Sequence, residues 1–380
     1  MKNQLAALEL RALVSELQPL ANSRLDQVYD LAGNISEPGK RLVFQLSTSE
    51  AKRFFVAVAP YGVFASLSKP DTEGPGSFCS LLRHHLENAR LLSISQLGSE
   101  RILECVFSSK NKQLRLIIEL FSKGNAILVD GQNVIVGAAQ HQVWKDRTVR
   151  PGFTYLPPPA TANFAAMSEQ QFSKLVLSSE KDSIVKALAV DCGLSGAYAE
   201  EVCSAASVDK LKKPSQLSQA ECGKLFSSLK ELLSRKLQPL AVLDNGSIVE
   251  AFPFPTSAAS EAKTRPFPSF NNAVEALFLS MLESSISASR TSKSSRQVKE
   301  MEIALEQQKA TIAEMEKGVK ENTRAAELIY EHYQDVKQVL DDYNRLRKTF
   351  TPEQLREYFA ANRKIKSIDE KTGTITLELD

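Results

Sequence analysis

Residues 298–343 read VKEMEIALEQQKATIAEMEKGVKENTRAAELIYEHYQDVKQVLDDY. Within them Val298, Met301, Leu305, Gln308, Ile312, Met315, Val319, Asn322, Ala326, Ile329, Tyr333, Val336, Leu340 and Tyr343 stand three and four residues apart in alternation. That spacing is the a/d seam of a coiled coil. Unbroken, the segment makes a rod of about 70 Å, longer than a globular core needs, and points to a projecting arm. A lone helix would leave this seam wet, so two arrangements compete. In one, the helix folds back as an antiparallel hairpin with its turn near Lys317–Thr323, where Gly318 and Asn322 are weak points. In the other it runs on to about Tyr343, and Pro352–Ala361 returns from the start signature Thr351-Pro352-Glu353. The polar seam residues Gln308 and Asn322 read as register or tip devices. Arg290, Lys293, Arg296 and Lys299 form a basic stripe at the base of the arm, either a solvated helix face or a line of phosphate contacts with RNA.

Upstream of the arm the pattern changes. Residues 4–20 read as an amphipathic helix with Leu5, Leu8, Ala12, Leu13, Glu16 and Leu17 at helical spacing, ended by Pro19. Strand-like runs follow at Arg24–Leu31, Arg41–Ser47 and Phe54–Ala59. Residues 70–76 read as a loop and Phe78–Ala89 as a helix carrying Arg83, His84 and His85, with Arg90 just beyond. Further strands are expected at 90–97, 101–108, 113–121, 125–130 and 133–138, with a turn at Ser122-Lys123-Gly124-Asn125 and a hairpin signal at Asp130-Gly131. This predicts an α+β domain with a mainly antiparallel sheet.

Arg150-Pro-Gly-Phe-Thr-Tyr-Leu-Pro-Pro-Pro159 reads as a rigid, extended linker. Residues 168–238 are helix-rich, and Cys192-Gly193-Leu194-Ser195-Gly196 separates two helical patterns. A Gly-x-x-Gly turn between short helices is either a tight connection or a helix-hairpin-helix element, whose backbone N–H groups meet a nucleic-acid phosphate. Strand character returns at 240–252, and residues 253–268 are rich in Pro and Ser. Ser269-Phe-Asn-Asn is a helix cap leading into the seam. The expected divisions are 1–160, 161–239, 240–272, 273–362 and a strand-like tail at 363–380.

Composition narrows the function. A net charge of +2 over 380 residues makes the chain no polycation, so a nucleic-acid surface must be a local patch. Five cysteines without a CxxC pair argue against a disulfide framework and a structural zinc, and favour a reducing compartment. The start of the chain lacks a signal-peptide pattern, and no apolar stretch approaches the roughly 20 residues of a membrane span. A cytoplasmic protein without membrane contact is expected. There is no P-loop, GxGxxG, GxSxG or metal-ligand spacing, and no acid/base carboxylate pair. The expectation is a binding protein, not an enzyme, without a cofactor or metal.

Several blocks then resemble one family. They are Leu10-Arg-Ala-Leu-Val-Ser-Glu-Leu-Gln18 with Ser23-Arg-Leu-Asp-Gln-Val-Tyr29, Phe78–Arg90, Glu100-Arg-Ile-Leu-Glu104, Glu119–Asp130, Arg150-Pro-Gly-x-x-Tyr-x-Pro-Pro-Pro159, Gly193–Cys203 and Ala326–Tyr333. In this order they resemble the NFACT family, the RqcH-like ribosome quality-control factors, and an archaeal member is expected. The resemblance implies an NFACT-N domain similar to the N-terminal domain of formamidopyrimidine-DNA glycosylases, a helix-hairpin-helix domain and a long antiparallel coiled-coil arm. It implies binding to the large ribosomal subunit holding peptidyl-tRNA and its nascent chain. It also implies recruitment of aminoacyl-tRNA, alanyl-tRNA in prokaryotes, for untemplated C-terminal tailing. The family's tRNA-engaging Asp-Arg pair falls on Glu100 and Arg101: Arg101 matches, and Glu100 is longer by one methylene. Read from the residues alone, the pair is an exposed strand start. The chain ends at Asp380, where the family's NFACT-R domain is expected to begin.

Arg83, Arg90, Lys123, Gly193 and Gly196 join Arg290, Lys293, Arg296 and Lys299 as candidate RNA-phosphate contacts. Three rivals remain. A DNA-binding protein of glycosylase-like fold would lack base excision, because Lys2-Asn3 follow Met1 in place of the N-terminal proline and glutamate. A surface adhesin fits poorly without a signal or anchor. A coiled-coil scaffold would pair the arm between chains.

Overall fold

The computed structural model describes residues 4–379 apart from 34–35, 38, 110–111, 160–161, 260–261, 363 and 370–373, and leaves out the side chains of 258, 283–300 and 352. The chain forms two compact units, Met1–Ser289 and Arg290–Asp380.

The first unit is organised around α1 (Ala7–Leu17). Leu10, Leu13 and Leu17 recur at helical spacing and enter a core shared with the main sheet. Ala6, Ala7 and Leu8 enter a second core built by helices further along the chain. The helix is therefore buried on two sides, where the sequence predicts one apolar face, and even Glu9 is only 1% exposed. A 3-10 turn, Gln18–Leu20, with Pro19 inside it ends the helix.

Among the described residues the main sheet has ten strands, all paired antiparallel. β1 (Arg24–Leu31) and β2 (Arg41–Ser47) have the predicted bounds. β3 (Lys52–Val58) and β4 (Gly62–Ser66) follow. β5 (Thr72–Glu73) lies in the segment read as a loop, and pairs with β1. After α2 (Ser77–Leu86) come β6 (Arg90–Gln96), β7 (Ile102–Ser109), β8 (Lys112–Glu119), β9 (Asn125–Asp130) and β10 (Ile135–Ala138). The two meanders join edge to edge through β1 and β6, at the pair Arg24 and Arg90. A short hairpin, β11 (Gln142–Val143) and β12 (Thr148–Val149), precedes the proline-rich segment.

That segment is no free linker. Gly152 N–H donates to the Ile135 carbonyl at 2.9 Å, and Tyr155 N–H to the Asn133 carbonyl at 2.8 Å. Tyr155 is buried with Ile102, Ile117, Ile127 and Ile135. The edge of the sheet offers unpaired backbone groups and an apolar seat for one ring, so the segment docks where local composition predicts an extended spacer.

The helical part comprises α3 (Glu169–Leu177), α4 (Ile184–Lys186) running into a π-turn at Ala187–Asp191, α5 (Gly196–Ala205) and α6 (Gln219–Ser234). Capping boxes at Ser168 and Ser218 start α3 and α6. A three-stranded sheet of β13 (Leu240–Asp244), β14 (Ser247–Phe252) and β15 (Thr264–Pro266) follows. It contributes Ala251 to the first core and Phe252 to the second. α7 (Phe270–Glu331) then begins. Ser269 Oγ accepts from Asn272 N–H, as the cap reading predicts, and the Glu16 carboxylate accepts from the N–H groups of Phe270 and Asn271 at 3.0 and 2.6 Å.

In the second unit α7 runs unbroken through Gly318 and Asn322, which rules out the first of the two arrangements, the hairpin turn at Lys317–Thr323. One glycine costs about 1 kcal/mol against alanine, and Glu316, Lys317, Lys320 and Glu321 are strong helix formers around it. The interruption falls at His332, before α8 (Tyr333–Leu346). The return from Thr351 does form: α9 (Pro352–Ala360) has a complete capping box, and Leu355 and Phe359 bury with Val339. β16 (Ile365–Asp369) and β17 (Thr374–Leu377) make a hairpin in the tail. The seam residues Met301, Leu305, Ile312, Met315, Val319, Ile329, Tyr333 and Leu340 are exposed. Among the described residues, then, no second helix covers the seam between Met301 and Ile329, whereas at its end Tyr343 packs on Phe359 of α9, ring centroids 6.0 Å apart. No helix among them is long and apolar enough to cross a membrane.

Candidate nucleic-acid interface

The first unit holds an open cleft of about 680 Å³. Its lining comes from stretches far apart in sequence: Gln4–Ala7 at the start of α1, Ser99–Arg101 between β6 and β7, Phe121, Pro158 and Pro159, and Ala189, Val190, Gly193 and Ser195 before α5. Local bonds explain the convergence. Gln96 Nε2 donates to the carbonyls of Ala7 at 2.8 Å and Glu100 at 2.9 Å, tying the β6–β7 loop to α1. Ser99 Oγ donates to Asn163 Oδ1 at 2.8 Å, tying the same loop to the helical part. Tyr198 of α5 reaches back to Glu9 of α1.

Glu100 and Arg101 therefore lie in a half-buried loop, not at the exposed strand start that the residues alone suggest. Among the described residues, the polar partner of the Arg101 side chain is Gln4 Oε1, which accepts from Nη1 at 2.9 Å. That leaves guanidinium donors for a ligand. Burial lowers the Arg101 pKa and the neighbouring Glu100 charge opposes the shift; a guanidinium stays charged in either case.

The Gly-x-x-Gly turn lines the same cleft as Arg101 through Gly193 and Ser195. Gly193 and Ser195 both take left-handed backbone, φ 74° and 72°. The N–H groups of Leu194 and Ser195 are spent on the Leu188 and Ala189 carbonyls. The donors left for an anion are those of the first turn of α5, which starts at Gly196 and has no acidic residue there. A Cβ built on Gly196 meets nothing within 4 Å, so the backbone is open to close approach. Ser195 Oγ is buried and has no hydrogen-bond partner among the described residues.

The other candidates are not in the cleft. Lys123 is exposed in the β8–β9 turn, two residues beyond Phe121, and its carbonyl accepts from Lys40 Nζ. Arg83 is a packing residue: Nε donates to the Val28 carbonyl at 2.7 Å and the guanidinium stands over Tyr29. Arg90 Nη1 donates to the Asn22 carbonyl at 3.2 Å on the exposed edge of the β1–β6 junction. The side chains of Arg290, Lys293, Arg296 and Lys299 lie outside the described residues. Among the described residues no group of three or more His, Cys, Asp or Glu side chains is placed to hold a metal ion. Ser195, Gln4 and Phe121 escape sequence reading because their only signal is convergence in space.

The chain thus sets a helical part beside a mixed α/β layer, with a cleft lined by Arg101 and by the residues that lead into α5. A family profile described as NFACT N-terminal and middle domains matches residues 7–378, and the chain belongs to that family. The archaeal Rqc2 homolog aRqcH of Methanocaldococcus jannaschii is 26% identical over 399 residues, covering 100% of this chain and 58% of the relative. Ribosome quality control complex subunit NEMF of Homo sapiens is 31% identical over 138 residues, 36% of this chain and 12% of the relative. The chain thus spans less than two thirds of these relatives. The N-terminal part of the fibronectin/fibrinogen-binding protein from Streptococcus suis superposes with a TM-score of 0.56 at 22% identity, over 72% of this chain and 98% of that one. The fibrinogen binding protein from Staphylococcus aureus gives 0.57 at 20% identity, over 71% and 97%. These two likenesses concern fold alone.

Proposed function

We propose that this chain is the tRNA-engaging part of a ribosome quality control factor. In this reading it binds the large ribosomal subunit carrying stalled peptidyl-tRNA and recruits aminoacyl-tRNA, alanyl-tRNA for an archaeal member, for untemplated tailing of the nascent chain. The name of the human relative, ribosome quality control complex subunit NEMF, supplies the process. The observation that carries the site is the cleft itself, where Glu100 and Arg101 meet the glycine turn. A cationic fork and a helix start with an orphaned hydroxyl, at one cleft, suit a phosphodiester as ligand. Glu100, a carboxylate beside that fork, accepts hydrogen bonds from base amines or 2′-hydroxyls. No step here calls for bond-making by the protein.

The test is sequencing of small RNA co-purified with the protein from its host, beside an Arg101→Ala variant. Enrichment of one tRNA species with the native chain, lost in the variant, supports the proposal and names the amino acid. Equal RNA profiles for both would overturn the role of the cleft.

A further inference from the structure

The chain has one tryptophan, Trp144, and it is 44% exposed. An exposed large apolar ring calls for an explanation when much is arranged to hold it. Trp144 opens the β11–β12 loop, which its N–H closes on the Arg147 carbonyl at 2.9 Å. The Arg147 guanidinium lies over the indole, 4.4 Å from the ring centroid. Arg147 is itself fixed from below: its two terminal nitrogens donate to Glu119 Oε1 and Oε2, both at 2.8 Å, and Nη1 donates to the Leu156 carbonyl at 3.2 Å. Tyr155 Oη also donates to Glu119. A buried ion pair adds little net stability, yet here it fixes a guanidinium against a ring that is 44% exposed.

We propose that Trp144 is a stacking platform for an unpaired base of single-stranded RNA, continuous with the cleft; the inference rests on the RNA reading above. Three observations carry it. Arg147 joins the two places, since it stands 5.9 Å from the centroid of Phe121, which lines the cleft. Lys145 follows Trp144 directly and Arg150 lies three residues beyond Arg147, both exposed and without an acid partner among the described residues, against Asp146 as the loop's one carboxylate. Lys123, also exposed, follows Phe121. An indole with one face backed by a guanidinium, and exposed cations nearby in the chain, suits a stacked base with phosphates alongside. The exposed neighbours Val143, Phe153 and Leu156 would equally suit a protein surface, but flanking cations favour the polyanion.

Because Trp144 is the only tryptophan, its fluorescence reports this site alone. The probe is a labelled oligouridylate of about twelve nucleotides, titrated against the full chain and followed by indole emission and by anisotropy. Saturable quenching is expected, with Trp144→Ala binding about tenfold more weakly or worse and Trp144→Phe within about threefold. Binding without quenching, equal affinity for Trp144→Ala, or no binding at all would overturn the platform. Quenching by ribosomal proteins and not by RNA would overturn it in favour of a protein partner. The tRNA experiment keeps the two readings apart. If Arg101→Ala loses tRNA while Trp144→Ala binds oligouridylate like the native chain, the cleft stands and the platform falls. If only Trp144→Ala is impaired, the platform stands and the cleft reading falls.

Discussion

Tyr198 Oη donates to Glu9 Oε1 at 2.8 Å, and this buried bond joins α5 to α1. Glu9 Oε2 accepts from the Ala6 N–H at 2.7 Å, so one carboxylate caps α1 and anchors the helical part at once. Burial, then the charge of Glu9, raises the Tyr198 pKa well above its ordinary value, so the phenol stays a donor. Tyr198→Phe keeps the ring contacts with Phe252 and Phe254 but leaves Glu9 one bond short. The expected loss is about 1–3 kcal/mol, read by urea unfolding. A change under about 0.5 kcal/mol would mean the bond does not join the two cores.

The two glycines of the turn should separate folding from binding. Gly193 sits at φ 74°, where a side chain is strained; Gly193→Ala should cost about 1–2 kcal/mol of stability. Gly196 has ordinary backbone and open space. Gly196→Ala should leave stability within about 0.5 kcal/mol. It should still weaken tRNA binding about tenfold by holding a phosphate off the helix start, as the loss of one charge-assisted bond would. If both variants bound tRNA like the native chain, the turn would be only a helix connection.

How much of this was legible depended on the range of the cause. β1 and β2 were readable because their alternation and branched residues are local. The Thr351 capping box was readable for the same reason. The docking of Arg150–Pro159 was not, because it depends on an edge strand placed by distant pairings. Arg101 carried no signal of its own beyond resemblance, since its setting comes from Gln4 and from cleft residues distant in sequence. The two-sided burial of α1 needed the second core, which forms some 150 residues later.

The five cysteines should be silent to thiol reagents. All are buried and none is in a disulfide. Burial pushes the Cys79 and Cys203 thiols up to about 11 and the Cys192 thiol up to about 12, with Cys105 higher still. Thiols titrate near pH 8.5 in the unfolded chain. Below that both states hold the proton and stability is unaffected. Above it only the unfolded state releases protons, so stability should fall as pH rises from about 8.5 toward 11–12. At pH 8 a disulfide reagent should label no cysteine until denaturant is added. Rapid stoichiometric labelling of the folded chain would contradict that burial.

The continuity of α7 is tested at Gly318. In a helix interior, Gly→Ala is favourable by about 1 kcal/mol, and a Cβ at Gly318 meets nothing within 4 Å. Gly318→Ala should therefore slow hydrogen exchange of the surrounding helical amides about fivefold. A tight hairpin turn at the same place would give the reverse result, because such turns hold glycine for backbone that alanine resists. The exposed seam sharpens the contrast. With Met315 and Val319 in water, no packing compensates a poor helix former here, and the substitution acts on the backbone alone. Faster exchange in the variant would restore the turn at Lys317–Thr323 and pair the two halves of the seam with each other.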